Sequence, residues 1–210
     1  MAQLTFRYST MNAGKSTEVL QIAHSYEQQG KKVLLFVPEI DDRYGKGKIT
    51  SRIGISRDAI VIGKETDIAY EVFKRMLNLG KINCVLIDEA KFLSHKQVYQ
   101  LTQIVDNLEI PVIAYGLKNA FNNELFEGSK ALLIYADNIE EVKTVCWYCD
   151  SKATMNMRID KYGNAVTKGE VVKIGGDESY VPVCRKCYKH RTAISHGREA
   201  GRAVNGEEPV

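Results

Sequence analysis

Apolar residues along the chain follow two alternating rhythms. Leu4–Tyr8, Val33–Val37 (Val-Leu-Leu-Phe-Val), Cys84–Ile87 (Cys-Val-Leu-Ile) and Pro111–Tyr115 are short apolar runs that predict strands, the continuous ones covered on both faces. Between them, apolar residues recur on a helical period. Lys15–Gln28 carries Val19, Leu20, Ile22, Ala23 and Tyr26 on one side, with Gly30 just beyond its end. Asp67–Leu79 is a second helix, with Thr66 as N-cap and Gly80 as its stop, and Ser94 caps a third that runs through Asn107. Ala59–Ile62 predicts a brief strand. Pro38–Arg57 breaks both rhythms with charges, three glycines and Asp41-Asp42-Arg43, and predicts a long mobile loop. Strands alternating with helices of this length predict a parallel α/β sheet.

Near Val145 the composition shifts to polar, turn-rich sequence holding four cysteines, and from about Ser195 periodicity is lost, which predicts a disordered tail. The expected organisation is an α/β domain over 1–143, a small domain over 144–192 and a tail over 193–210. A chain of 210 residues is long enough for that division. A formal charge of +3 is too small to argue for a nucleic-acid partner, although Lys and Arg cluster at Arg185–Arg191. No apolar run reaches membrane-spanning length, and Met1-Ala2-Gln3-Leu4-Thr5 lacks a signal-peptide layout, so a cytoplasmic protein is expected.

The sharpest chemical signal is Ser9-Thr10-Met11-Asn12-Ala13-Gly14-Lys15-Ser16, placed between the first strand and the first helix. It reads as a Walker A phosphate-binding loop with serine in place of the first glycine. Backbone N–H groups and a helix N-terminus make an anion site there; Lys15 reaches β/γ-phosphates and the Ser16 hydroxyl ligates Mg²⁺. Glycine at position 9 would permit a positive φ or a close backbone approach, so the Ser9 Cβ is expected to raise the energy of the bound-loop conformation, reducing tolerance without abolishing the loop. The bland alternative is an ordinary strand–turn–helix connection with an exposed lysine.

Asp88-Glu89 follows a buried apolar strand, the Walker B arrangement: Asp88 holds Mg²⁺ and Glu89 is a candidate base. Acids also commonly begin solvated loops. Cys146-x-x-Cys149 and Cys184-x-x-Cys187 are two knuckles separated by 34 residues, the layout of a closed structural Zn²⁺ site, with free thiols or a redox pair as alternatives. Closing that site pins Asp150–Val183 into a lariat, which suggests a lid over a second substrate. Cys84, inside a predicted strand, reads as a small core residue.

At this point the chain resembles the type II (cytosolic-class) thymidine kinases. The resemblance rests on Thr10–Ser16, Asp41-Asp42-Arg43, Ser51-Arg-Ile-Gly54, Leu86-Ile-Asp-Glu-Ala-Lys-Phe92, Tyr115–Phe121, Ala153–Arg158, Val172–Tyr180 and Pro182–Cys187, in the family's order. It implies a RecA-like P-loop NTPase fold with a zinc-binding lasso domain covering the nucleoside. It implies transfer of the ATP γ-phosphoryl group to the 5′-hydroxyl of thymidine or deoxyuridine in nucleotide salvage. Carried over by position, Ser9 to Ser16 and Arg43 contact ATP, Ser16 and Asp88 hold Mg²⁺, and Glu89 is the base. Phe92, Leu117, Phe121, Met155, Asn156, Val172, Ile174, Gly175, Gly176 and Tyr180 contact the nucleoside. Feedback inhibition by dTTP and a homotetramer are implied as well.

Two further positions depart from the family pattern. Lys91 stands where glutamine is usual and either points away from Glu89 or favours its ionised form. Ala120 stands where an acid often precedes the aromatic. Two rival readings remain: a P-loop ATPase whose zinc module binds nucleic acid, which predicts a basic surface with stacking aromatics, and a non-catalytic nucleotide sensor.

Overall fold

The structure, a computed structural model, describes residues 1–169 and 180–193. They divide into two compact units. The first comprises Met1–Ser9, Ala13–Lys118 and Leu125–Val142; the second comprises Thr10–Asn12, Asn119–Glu124 and the chain from Lys143 onward.

The first unit is built on a six-stranded sheet whose strands all pair in parallel: β1 (Leu4–Ser9), β2 (Val33–Pro38), β5 (Ile60–Ile62), β6 (Cys84–Ile87), β7 (Val112–Leu117) and β8 (Asn138–Glu141). Their spatial order is β5-β2-β6-β7-β1-β8. The period of two sends alternate side chains to two cores. Leu34, Phe36, Val85, Ile87, Val112 and Ala114 pack with Ile68 and Val72 of α2 (Ile68–Leu79), Val98, Leu101 and Ile104 of α3 (His95–Leu108), and Ala131 and Leu132 of α4 (Glu127–Tyr135). Leu35, Val37, Cys84, Leu86 and Tyr115 pack on the other face with Val19, Leu20 and Ala23 of α1 (Lys15–Gln28). Cys84 is the core residue it was expected to be, and burial pushes its thiol up to about 11.

Local chemistry sets the helix ends. Ser94 accepts from Gln97 N–H while the Gln97 side chain accepts from Ser94 N–H, a full capping box for α3. The N-cap of α2 is Asp67, not Thr66: the Asp67 carboxylate accepts from Tyr70 N–H at 3.0 Å, and Thr66 Oγ1 is committed to Gly63 N–H at 2.9 Å. Gly80 ends α2 with φ 78°. The stretch Pro38–Arg57 also departs from expectation. It contains an antiparallel pair, β3 (Lys48–Thr50) with β4 (Ser56–Asp58), too short to register as a hydrophobic pattern.

The second unit carries a three-stranded antiparallel sheet in the order β10-β9-β11, from β9 (Met155–Ile159), β10 (Ala165–Val166) and β11 (Tyr180–Val183), followed by a helix over 185–193. Its small core is Cys146, Met157, Ala165, Val181, Val183 and Cys184. No helix among the described residues is long and apolar enough to cross a membrane.

One contact in the first unit fixes the edge where β6 ends. A 3-10 turn, Ala90–Phe92, lies under the first turn of α4. A Cβ on Gly128 would collide with the carbonyl oxygens of Ala90, Leu93 (2.8 Å) and Lys91 (2.9 Å). Gly-to-Ala in a helix otherwise gains up to about 1 kcal/mol, but here the neighbours are backbone and cannot swing away. Gly128→Ala is expected to destabilise by roughly 1–3 kcal/mol, the usual cost of overpacking, read from urea unfolding.

Candidate functional site

The loop after β1 takes its shape from two left-handed residues, Asn12 (φ 64°) and Gly14 (φ 85°). Ser9 is the last residue of β1 and is not among the positive-φ positions, so its backbone carries no left-handed strain in this conformation. Its hydroxyl accepts instead from the buried Lys15 Nζ at 2.9 Å. Gly14 is the N-cap of α1, and its carbonyl accepts from Glu18 N–H at 3.0 Å. Lys15 and Ser16 therefore open a helix whose first N–H groups have no partner within it, the usual setting for an anion.

β6 delivers Asp88 and Glu89 to the same sheet edge. Ser16 Oγ donates to Asp88 Oδ2 at 2.6 Å, which joins the start of α1 to the end of β6. Burial raises the pKa of the Asp88 carboxyl, opposed by the Ser16 hydrogen bond and the Lys15 charge. A hydroxyl and a buried carboxylate in contact form an all-oxygen donor pair that suits a hard divalent cation, whose charge would offset that burial.

Glu89 itself has a left-handed backbone (φ 51°), a conformation that costs a non-glycine residue about 1–2 kcal/mol. Local bonds hold it there: Glu89 N–H donates to Asp88 Oδ1 at 2.9 Å, and the Glu89 carbonyl accepts from Phe92 N–H at 3.1 Å. The Glu89 side chain is 8% exposed and paired at both oxygens. Arg43 Nη2 reaches Oε1 at 2.6 Å, while Arg43 Nε holds Asp41 Oδ1 at 2.6 Å. Lys91 Nζ bonds Oε2 and lies 4.3 Å from the Phe92 ring centroid. Lys91 thus points toward Glu89 and not to the opposite side.

Of the residues expected at a nucleoside, Phe92 stacks edge-on to Phe126 with centroids 6.1 Å apart, and Leu117 is buried at the end of β7, its carbonyl accepting from Ser129 Oγ. In the second unit Phe121 and Tyr180 sit with centroids 6.2 Å apart, Arg158 lies over Phe121 at 5.6 Å, and Met155 is half-buried. Asn156 is 1% exposed and spends its amide on backbone: Oδ1 accepts from Met11 N–H at 2.8 Å and Nδ2 donates to the Asn119 carbonyl at 2.9 Å. Val172, Ile174, Gly175 and Gly176 lie outside the described residues.

Cys146, Cys149, Cys184 and Cys187 converge in the second unit, all four sulfurs within 4.8 Å of one another. The Cys149 sulfur lies 3.7 Å from those of Cys184 and Cys187. Four thiolates at about 2.3 Å from a tetrahedral metal would stand about 3.8 Å apart, so the set fits a metal ion such as zinc. Tyr148 N–H and Cys187 N–H point at the Cys146 and Cys184 sulfurs (3.5 and 3.4 Å). Hydrogen bonding to Ser151 pulls Cys149 down to about 6, while contact with Cys184 sends Cys187 up to about 12. A divalent cation would let all four ionise together.

Sequence reasoning missed Asp41 as the partner of Arg43, the Ser9–Lys15 bond and the aromatic face supplied by Phe126. Only the first left a trace, the i, i+2 spacing of opposite charges in Asp41-Asp42-Arg43.

A family profile described as thymidine kinase matches residues 2–188. The thymidine kinase of Listeria monocytogenes serovar 1/2a is 56% identical over 189 residues, covering 90% of this chain and 97% of its own. The thymidine kinase of Lactococcus lactis subsp. lactis is 55% identical over 190 residues, with the same coverage of both chains. That of Enterococcus faecalis is 53% identical over 197 residues, covering 93% and 98%. Among solved structures, the Pif1 helicase from Candida albicans is 13% identical with a TM-score of 0.36 over 67% of this chain and 36% of its own, too slight a likeness to bear on the fold.

The crowding at Lys91 has a measurable consequence. Burial, reinforced by the Arg43 and Lys15 charges, pushes its amino group down to about 7 from 10.5. Between those values the unfolded chain binds a proton that the folded chain does not, so this site's contribution to stability rises with pH across that window. Unfolding free energy measured relative to Lys91→Met is expected to rise from about pH 7 to about pH 9, by at most about 1.4 kcal/mol per unit. Identical pH slopes for the two proteins would contradict the depressed value.

Proposed function

This chain belongs to the thymidine kinase family, and on that premise we propose that it transfers the γ-phosphoryl group of ATP to the 5′-hydroxyl of thymidine or deoxyuridine, with Glu89 as the base. The observation that carries the residue assignment is the buried acid pair at the end of β6, with Asp88 bonded to Ser16 and Glu89 flanked by two basic side chains.

The backbone around Asn12–Gly14 and the start of α1 cradle the phosphates, with Ser9, Thr10, Met11 and Ala13 shaping the loop. Lys15 and Arg43 bring positive charge to the β- and γ-phosphates. Ser16 and Asp88 would hold Mg²⁺, which when bound offsets charge on the phosphate oxygens. The 5′-hydroxyl gives its proton to Glu89 as its oxygen bonds to the γ-phosphorus. The bond from that phosphorus to the β,γ-bridging oxygen breaks, and ADP leaves with the electron pair.

We assign Phe92 and Leu117 to the sugar and base, together with Phe121, Met155, Val172, Ile174, Gly175, Gly176 and Tyr180. Asn156 acts by holding Met11 and Asn119 in place. Backbone groups suit a pyrimidine, whose O2, N3–H and O4 pattern complements main-chain N–H and C=O. The four cysteines are assigned to one structural Zn²⁺, since a fourfold thiolate set leaves no open position for chemistry.

We also assign dTTP as end-product inhibitor, a cytoplasmic site of action and a homotetrameric state. The family resemblance supports all three; an exposed apolar stripe on α2, Tyr70, Phe73 and Leu77, offers a surface for self-association without setting the number of copies.

Glu89→Gln is expected to keep ATP and thymidine binding and to lose roughly 10²–10⁴-fold in kcat, the range for a general base. Near-normal formation of dTMP by the variant would remove Glu89 from the role. The purified chain is expected to carry one zinc per polypeptide by elemental analysis, and Cys184→Ser to lose it together with the circular dichroism of the second unit's sheet. Full metal content in that variant would refute the assignment.

A further inference from the structure

Lys91 is not accounted for by the reaction as described. It is a long basic side chain, 8% exposed, within reach of the base. Its backbone is clamped from two sides by glycines that leave no room for a side chain. A Cβ on Gly116 of β7 would stand 3.0 Å from Lys91 N, and one on Gly128 of α4 would stand 2.9 Å from Lys91 O. Its amino end is confined by the Phe92 ring at 4.3 Å and the Phe126 ring at 5.9 Å. Both ends of this side chain are thus fixed before any substrate arrives.

Arg43, on the other oxygen of Glu89, is placed differently. It comes from the stretch between β2 and β3, its side chain is 23% exposed, and it already has a second carboxylate, Asp41, at 2.6 Å. Arg43 can leave Glu89 and remain paired. Among the described residues Glu89 is the carboxylate that Lys91 bonds; Asp41 and Asp88 act on it only as nearby charges, and its other close neighbours are rings. The two oxygens of Glu89 are therefore not equivalent: Oε2 is anchored by a rigid donor and Oε1 is held by a releasable one.

Resting on the reading of Glu89 as the base, we propose that Lys91 is a positioning residue of the kinase reaction: its amino group fixes Oε2 of Glu89, and Oε1 is the oxygen that Arg43 yields to the acceptor hydroxyl. The terminal torsion of a glutamate is broad and twofold, so an unanchored carboxylate spends time with neither oxygen aimed at the acceptor. A base has to lie within about 2.6–3.2 Å of the proton it takes, and a misplacement of about 1 Å can cost roughly a hundredfold in rate. The amino group donates in either protonation state, so the anchor does not depend on its charge. The hydroxyl proton ends on Oε1, the new bond joins the 5′-oxygen to the γ-phosphorus, and ADP carries away the electron pair of the broken bond.

The test is steady-state kinetics on the full chain carrying Lys91→Met, which keeps the bulk without the donor, and Lys91→Gln, which restores a donor without charge. Each is made alone and combined with Glu89→Gln. Lys91→Met is expected to lower kcat by roughly ten- to a hundredfold, with KM for thymidine and for ATP shifted less than about threefold, as fits loss of orientation without loss of binding. Lys91→Gln should recover at least about fivefold of that loss, and Lys91→Met should cost nothing further in the Glu89→Gln background, because positioning through Glu89 has no meaning once the base is gone. Should Lys91→Met fail to fold, Lys91→Gln carries the same test: its smaller loss in kcat must vanish beside Glu89→Gln. A kcat for Lys91→Met within twofold of the parental value, or losses that multiply in the double variant, would overturn the proposal while leaving Glu89 as base. Near-normal turnover by Glu89→Gln alone would remove the base itself, and Lys91's role with it.

Discussion

Six strands that pair only in parallel must all end on the same side, and every ionisable group of the first unit's site stands on that edge. Parallel pairing demands crossovers, which here are helices on both faces except between β2 and β5, where the β3–β4 pair intervenes, and so commits the strands to burial on both sides. That is why Cys84–Ile87 is apolar at every position and why the chain turns polar only at Asp88. The loop after β1 and the acid pair are not neighbours in the sheet, for β7 lies between β1 and β6. The Ser16–Asp88 hydrogen bond spans that strand and ties the two motifs into one site.

Three basic side chains, Lys15, Arg43 and Lys91, meet three acids, Asp41, Asp88 and Glu89, in a region where side chains are mostly buried. Removing one member of such a set leaves another uncompensated, which is far more costly than the net worth of any pair. The balance also explains why the left-handed backbone of Glu89 persists. The turn that follows it is wedged between Gly116 and Gly128, and the carboxylate is drawn to cations on either side.

Much of this architecture is written in the spacing of apolar residues. The limits of α1, the run of β6 and the Ser94 cap of α3 could be read directly, because each combines a long or continuous apolar pattern with a specific end residue. Three kinds of feature could not. The β3–β4 pair has three residues per strand, too few for a period of two to emerge. The cap of α2 lay between adjacent Thr66 and Asp67, and only the fold shows that Thr66 is spent on Gly63. Ser9 looked like a defect in a motif, because a pattern match treats position 9 as backbone chemistry; the fold makes it the end of a strand with a hydroxyl on Lys15. Lys91 was visible as an oddity, but its direction depends on two glycines that lie 25 and 37 residues away.

The amide of Asn156 has a consequence for how the chain comes to be folded. It holds a tripeptide near the amino end, Thr10–Asn12, through Met11, and a hexapeptide from the middle, Asn119–Glu124, through Asn119. Synthesis runs from the amino end at about 5–20 residues per second. Met11 therefore emerges from the ribosome many seconds before the residue that fixes its N–H exists. Until Asn156 has been made, the Met11 N–H lacks the side-chain partner that the finished fold gives it, although the local bonds of the same loop, Lys15 to Ser9 and Glu18 to Gly14, need nothing made later.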